Sequence, residues 1–255
     1  MKFDYFLYNP SGNITALVSD AVAGSLQYTV AAEIMKKEPT CEQVGFLASS
    51  DDSDIMVAMA GGEFCGNATL CAAACFAGTH GAVPGMSHPV RVRCSGCPEA
   101  ISASFVPYDS TMGIASMEAD FDAIINSFHG FKAVHMPGIT HIIADGSQID
   151  TSKAESCIRD WTEELDVPAL GIMLLDRTAE SLTPLVFVRG SDTLFWEQSC
   201  ASGTCAVALA EGECRLFLRQ PGGLLRVQNH NGKIKLTNKI VMERIGEICI
   251  PEQNL

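Results

Sequence analysis

Basic residues are scarce in this chain: 17 Lys and Arg stand against 30 Asp and Glu over 255 residues, a formal net charge of −13. A phosphate backbone or an anionic membrane surface would be repelled by such a surface, so neither nucleic acid nor membrane is an expected partner. Long apolar runs are also missing, and nothing approaches the roughly 20 residues of a spanning helix. The start, Met1-Lys2-Phe3-Asp4-Tyr5, lacks the basic flank and apolar run of a signal peptide, and a cytoplasmic location is expected. A second C-x-x-C is absent. Cys94-Ser95-Gly96-Cys97 stands alone, without the second ligand pair that a zinc site needs, so no metal is expected. The flanking Val90-Arg91-Val92-Arg93 alternates as a strand instead of leading into a helix, which argues against a redox motif.

Cysteine itself is plentiful, with eleven residues, but the odd number argues against a fully paired disulfide framework. Cys71, Cys75, Cys205 and Cys214 fall in runs that read as buried helix, where a free cysteine packs as a small apolar residue. With 47% hydrophobic residues the chain can bury two modest cores or one large one. Periodicity predicts strands over 2–8, 14–18, 44–48, 55–60 and 90–93, with helices over 21–36 and 66–77. The second half repeats the order, with strands over 113–117, 133–135, 139–144, 169–175, 185–188 and 193–196 and helices over 152–165 and 202–218. Strands over 224–228, 233–236 and 240–250 finish the chain. A boundary near Asp120 to Phe128 divides it into lobes of residues 1–118 and 119–255, with the C-terminal strands returning to the first.

The most informative feature is an internal repetition. Cys65-Gly66-Asn67-Ala68-Thr69 and Cys200-Ala201-Ser202-Gly203-Thr204 both join a cysteine to small or polar residues and a Thr, and both open an Ala-rich helix. They lie about half the chain apart, which implies two similar lobes with one such helix start from each. A cysteine in a first helical turn lies beside unpaired N–H groups and the positive end of the helix dipole, which favours its thiolate. The same helix starts bind carboxylates. Two of them around one cavity would hold a substrate carboxylate and flank its α-carbon with two sulfurs. That is the demand of stereoinversion, in which one base removes a proton from one face and an acid on the other face delivers one.

At these residues the chain resembles diaminopimelate epimerase and its relatives, the pyridoxal-phosphate-independent amino-acid racemases. Glu63-Phe64-Cys65-Gly66-Asn67 is similar to the family's first catalytic signature and Cys200-Ala201-Ser202-Gly203-Thr204 to its second. The resemblance implies an α+β fold of two pseudo-symmetric lobes, each a mainly antiparallel sheet curled around a central Ala-rich helix. It also implies Cys65 and Cys200 as the catalytic pair, no cofactor, and a small amino-acid substrate, with a homodimer as the candidate assembly. By the same likeness Asn13 (in Gly12-Asn13) and Gln43 face substrate, and Glu197 (in Trp196-Glu197) takes its amino group. The backbone amides of Gly66, Asn67, Ala201 and Ser202 would grip the α-carboxylate.

Departures from the family pattern narrow the substrate. Gly138-Ile139-Thr140-His141 stands where the family has Gly-Asn-Pro-His, a second distal Asn is replaced near Leu182 or Thr183, and the Glu-Arg pair reads Glu197-Gln198. A site without these anchors cannot compensate the desolvation of a second amino-acid head. Diaminopimelate is therefore a poor candidate and an amino acid with a single head is the expected substrate; that it is histidine is what the resemblance, not the departures, implies. His141 reads as a structural bridge before a substrate contact, and Glu63 as a solvated or hydrogen-bonded loop carboxylate outside the catalytic set. Trp161, Phe195 and Trp196 read as core or lobe-interface packing.

Overall fold

The computed structural model describes residues 1–251, with sixteen strands and four helices among them. One pattern is laid down twice. A hairpin of β1 (Lys2–Pro10) and β2 (Ile14–Val18) leads through α1 (Gly24–Lys37) to β3 (Cys41–Ala48), which lies parallel to β2. Next, β4 (Ile55–Met59) returns antiparallel to β3, and α2 (Gly66–Thr79) carries the chain to β5 (His88–Cys94), parallel to β4. The antiparallel strands β6 (Ile101–Pro107) and β7 (Met112–Asp120) complete the unit.

After an edge strand β8 (Ile124–Phe128), the second unit begins with the hairpin β9 (Phe131–Met136) and β10 (Ile139–Asp145). Here α3 (Thr151–Glu164) leads to β11 (Ala169–Asp176), again parallel, and β12 (Ser181–Val188) returns. A short β13 (Thr193–Trp196) pairs with β12, and α4 (Ala201–Glu211) then connects β12 to β14 (Cys214–Gln220). The antiparallel β15 (Gly223–His230) and β16 (Lys233–Cys249) end the fold.

The long strand β16 joins the two units. It pairs with β7 from Lys233 to Val241 and with β1 from Ile240 to Cys249, so β1 to β7 and β16 close an eight-stranded barrel around α2. The other edge of its first half pairs with β15, from which a second sheet runs through β14, β12, β11, β10 and β9 to β8 around α4. Small side chains make this possible. The interior of an eight-stranded barrel has little room beyond its own side chains. The α2 sequence Gly-Asn-Ala-Thr-Leu-Cys-Ala-Ala-Ala-Cys is buried all round, as a helix apolar on every face must be. By contrast α1 and α3 cover the outer faces of the sheets. Ala154, Ile158 and Trp161 recur at helical spacing on the buried side of α3, and Asp150 caps its start by accepting from Lys153 N at 2.8 Å. Each large side chain buried this way is worth roughly 1.5–3 kcal/mol.

The architecture is thus α+β with two pseudo-symmetric lobes, and Cys71, Cys75 and Cys205 are buried in its central helices. Several elements differ from their expected bounds. The helix expected to reach Leu218 stops at Glu211, because Gly212 turns to φ 78° and redirects the chain into β14, where Cys214 is half-buried. The helix expected to stop before Gly78 runs through it to Thr79. A strand, β6, forms where none was expected, and β8 occupies the stretch read as a boundary. The two last strands are one, held continuous by pairing with β7 and β1. No helix among the described residues is long and apolar enough to cross a membrane.

Candidate active site

Cys65 and Cys200 are the N-caps of α2 and α4, with nearly the same backbone angles (φ −125°, ψ 109° and φ −118°, ψ 106°). Each sulfur accepts from the backbone N–H three residues on, Ala68 or Gly203, at 3.3 Å. Each carbonyl accepts from the hydroxyl four residues on, Thr69 at 2.9 Å and Thr204 at 2.7 Å. The repeated Thr of the sequence motif therefore anchors the first turn in both lobes. The two helix starts abut: a methyl placed on Gly66 would lie 2.8 Å from Ala201 Cβ.

A cavity of about 310 Å³ opens at this junction. Cys65, Gly66, Asn67, Cys200, Ala201 and Ser202 line it, together with Gln43 and Glu197. The first-turn N–H groups of Gly66, Asn67, Ala201 and Ser202 have no helical carbonyl to pair with, which leaves four backbone donors at the cavity wall that an anion could use. Behind it runs a polar network. The Cys65 thiol donates to Gln43 Oε1 at 2.9 Å, and Gln43 Nε2 donates to Asn13 Oδ1 and to Thr15 Oγ1. Asn67 Nδ2 donates to Asn13 Oδ1 at 3.0 Å and across the lobes to the Ser199 carbonyl at 2.8 Å. Asn13 is fully buried and is not part of the cavity lining; it accepts from Gln43 and Asn67 behind the wall. On the other side Ser202 Oγ lies 3.6 Å from Cys200 Sγ and 3.1 Å from His141 Nε2. His141 is buried behind Ser202, and burial pushes its pKa down to about 3, so the ring is neutral.

Enclosure reverses one expectation. The helix starts were expected to lower the thiol pKa values, yet burial pushes both well above the ordinary 9.0. A single backbone N–H opposes this at Cys65, while Glu197 and Glu63 add repulsion; at Cys200 the neighbouring Glu197 carboxylate adds to burial. Burial likewise raises Glu197 to about 8, with Glu42 and Glu63 contributing, and Glu42 to about 7. Burial thus favours the protonated forms of both thiols and of these carboxyls.

Four lining residues depart from the sequence reading. Glu42 was not singled out, because alternation along a strand puts neighbours on opposite faces. Between β2 and β3, however, Cys41 pairs with Ile14 and Gln43 with Thr15, so Glu42 is the extra residue of a bulge and shares the cavity with Gln43. Glu63 lines the cavity with its Oε2 cut off from solvent and without a hydrogen-bond partner, so of the two readings the solvated one fails, while a hydrogen bond from its own backbone N–H meets the other. Phe195 lines the cavity wall and does not only pack in a core or at the lobe interface, whereas Trp161 is buried on the inner face of α3 and Trp196 donates to Glu155 at 2.5 Å. Tyr28, from α1, also lines the cavity; nothing in its helical context marked it. Ile139 is on the wall as well, while Leu182 is buried elsewhere and Gln198 is exposed. Cys94 is buried beneath the Cys65 carbonyl, 3.8 Å from it.

Among known proteins, the family described as histidine racemase CntK N-terminal domain matches residues 2–248. A histidine racemase of Staphylococcus aureus (strain Mu50) is 28% identical over 242 residues, covering 88% of this chain and 87% of that protein. One from Fusobacterium nucleatum subsp. nucleatum is 26% identical over 262 residues, 97% of each chain. In fold the chain is similar to a protein described as a predicted epimerase from Pseudomonas aeruginosa (TM-score 0.70, 12% identity, 98% of this chain and 100% of that one). It is also similar to a hydroxyproline epimerase from Agrobacterium vitis (TM-score 0.63, 11% identity, 97% and 91%). A match over almost the whole length, on a racemase fold with paired helix-cap cysteines, places this chain in the histidine racemase family of pyridoxal-phosphate-independent amino-acid racemases.

Proposed function

We propose that this enzyme interconverts the enantiomers of histidine, with Cys65 and Cys200 as a thiolate and a thiol that act on opposite faces of the α-carbon and exchange roles with direction. The observation that carries the reading is the equivalence of the two cysteines: both cap a buried helix in the same geometry and both line one cavity. The first-turn amides of α2 and α4 receive the α-carboxylate, where they stabilise the negative charge that builds up when the α-proton leaves. Glu197 takes the α-ammonium. A cation arriving there favours the ionised carboxylate and removes the repulsion that holds the Cys200 proton. Gln43, steadied by Asn13, orients the Cys65 thiol, and Ser202, backed by neutral His141, does the same for Cys200. One thiolate then abstracts the α-proton while the opposite thiol delivers its own, so each turnover inverts the centre and leaves the cysteines exchanged in protonation. Exclusion of water strengthens each of these interactions. The cavity lining contains no Lys or Arg to pair with the carboxylate of a second head, which disfavours diaminopimelate.

The test is L-histidine in D₂O with reductant and no added cofactor, followed by loss of the α-proton NMR signal and by chiral chromatography for D-histidine. The native enzyme should show both. Cys65→Ala and Cys200→Ala should each lose racemisation by at least about a thousandfold, a rough scale for removing an essential base. Racemisation that persists in either variant overturns the two-base reading.

A further inference from the structure

Three carboxylates line the cavity, and no Lys, Arg or His lines it with them. Glu197 has the ammonium. Glu42 is already satisfied, accepting from Asn13 Nδ2 at 2.5 Å and from the Gln198 N–H at 3.3 Å. Glu63 remains: its Oε2 is shut off from solvent and has no donor.

Its position is built, not accidental. The Glu63 carbonyl accepts from Ser95 Oγ at 2.8 Å. Gly96 and Gly138, both at positive φ, pack against its backbone so closely that added methyls would lie 3.1 Å from its carbonyl carbon and 2.9 Å from its Cα. Gly61 leaves the space for the carboxylate itself: a methyl there would collide with Glu63 Oε2 and lie 2.6 Å from Val188 Cγ1. Contacts from both lobes thus hold a carboxylate with one unpartnered oxygen, Oε2, beside the wall formed by Ile139 and Val188. Burial without a donor costs free energy until one arrives.

We propose that Glu63 accepts a hydrogen bond from the imidazole N–H of the substrate and is the residue that selects a side chain bearing such a donor. The inference rests on the histidine reading above and deepens it. A charge-assisted bond to a carboxylate is about twice as strong as a neutral one. A site that has committed a buried acceptor to a substrate N–H rejects an isostere that leaves it unpaired. The surplus of carboxylates would also turn away acidic side chains by repulsion.

The test compares α-proton exchange in D₂O for L-histidine and for 3-(2-thienyl)-L-alanine, which has a five-membered ring of similar size without an N–H. The native enzyme should favour histidine in kcat/KM by about tenfold to a hundredfold, the span of one charged hydrogen bond. Glu63→Leu should lose about that factor on histidine relative to thienylalanine and so bring the ratio close to one, whatever change in Cys65 both substrates share. Glu63→Gln, which keeps a neutral acceptor, should fall between. An unchanged ratio in Glu63→Leu overturns the assignment, as does an equal fall on both substrates, which would mark a structural role. If the native enzyme exchanges neither enantiomer of histidine, the histidine reading itself fails and this inference falls with it.

Discussion

Burial makes Glu197 keep a proton that it would surrender in the unfolded chain, and that has a measurable consequence for stability. Its carboxyl is raised from 4.5 to about 8 in the folded chain. Below 4.5 it is protonated whether the chain is folded or not. As the pH rises from 4.5 to about 8, the unfolded chain releases this proton and the folded chain keeps it, so folding stability falls across that window. Glu197→Gln removes the titration. Denaturant melts of the ligand-free proteins should therefore give a stability difference that grows in favour of the variant between those values, up to about 5 kcal/mol, and levels off above them. A difference that is flat with pH would mean that Glu197 titrates normally. The comparison is made between variant and native protein because His141, lowered to about 3, has the opposite slope in both.

At the scale of elements, the site depends on how closely α2 and α4 approach end to end. Gly66 is the residue that permits it, since any side chain there meets Ala201 Cβ at 2.8 Å, and a backbone-attached methyl cannot swing aside. Gly66→Ala should push the two helix starts apart and misplace both sulfurs and the amides between them. A displacement near 1 Å costs about a hundredfold in rate, so kcat/KM should fall by roughly that factor while the far-ultraviolet circular dichroism is unchanged. Normal kinetics in this variant would show that the helix starts do not need to touch. Residue 66 was recognisable in the sequence as a small residue after a cysteine. That its partner is residue 201 was not, because the contact joins two lobes.

For the whole molecule, β16 ties the lobes at one edge and the cavity lies between the helices that they enclose. A ligand that binds across that cavity stabilises the fold by mass action, by about 2.7 kcal/mol at one hundred times its Kd. With Cys65→Ala, which blocks turnover, histidine at that level should raise the melting temperature by about 5–10 °C, given roughly 2–4 °C per kcal/mol for a chain of this size. Both enantiomers should do so, because the site must accept each as a substrate. No shift with either would mean that the folded cavity does not take histidine.

Local pattern by itself determined the paired cysteine motifs, the all-round apolar helices behind them and most of the strands, because helix starts, buried helices and alternation are written in neighbouring residues. The repetition of those patterns in both halves implied two similar lobes, and the resemblance carried by the cysteine motifs supplied the fold class. Tertiary structure alone decided what surrounds the cysteines. Glu42 enters the site through a bulge, Glu63 is turned inward by glycines from distant loops, and Asn13 is set one layer back. The thiol pKa values were also decided there: the helix dipole acts within one turn and is legible in sequence, but the burial that outweighs it depends on two lobes meeting.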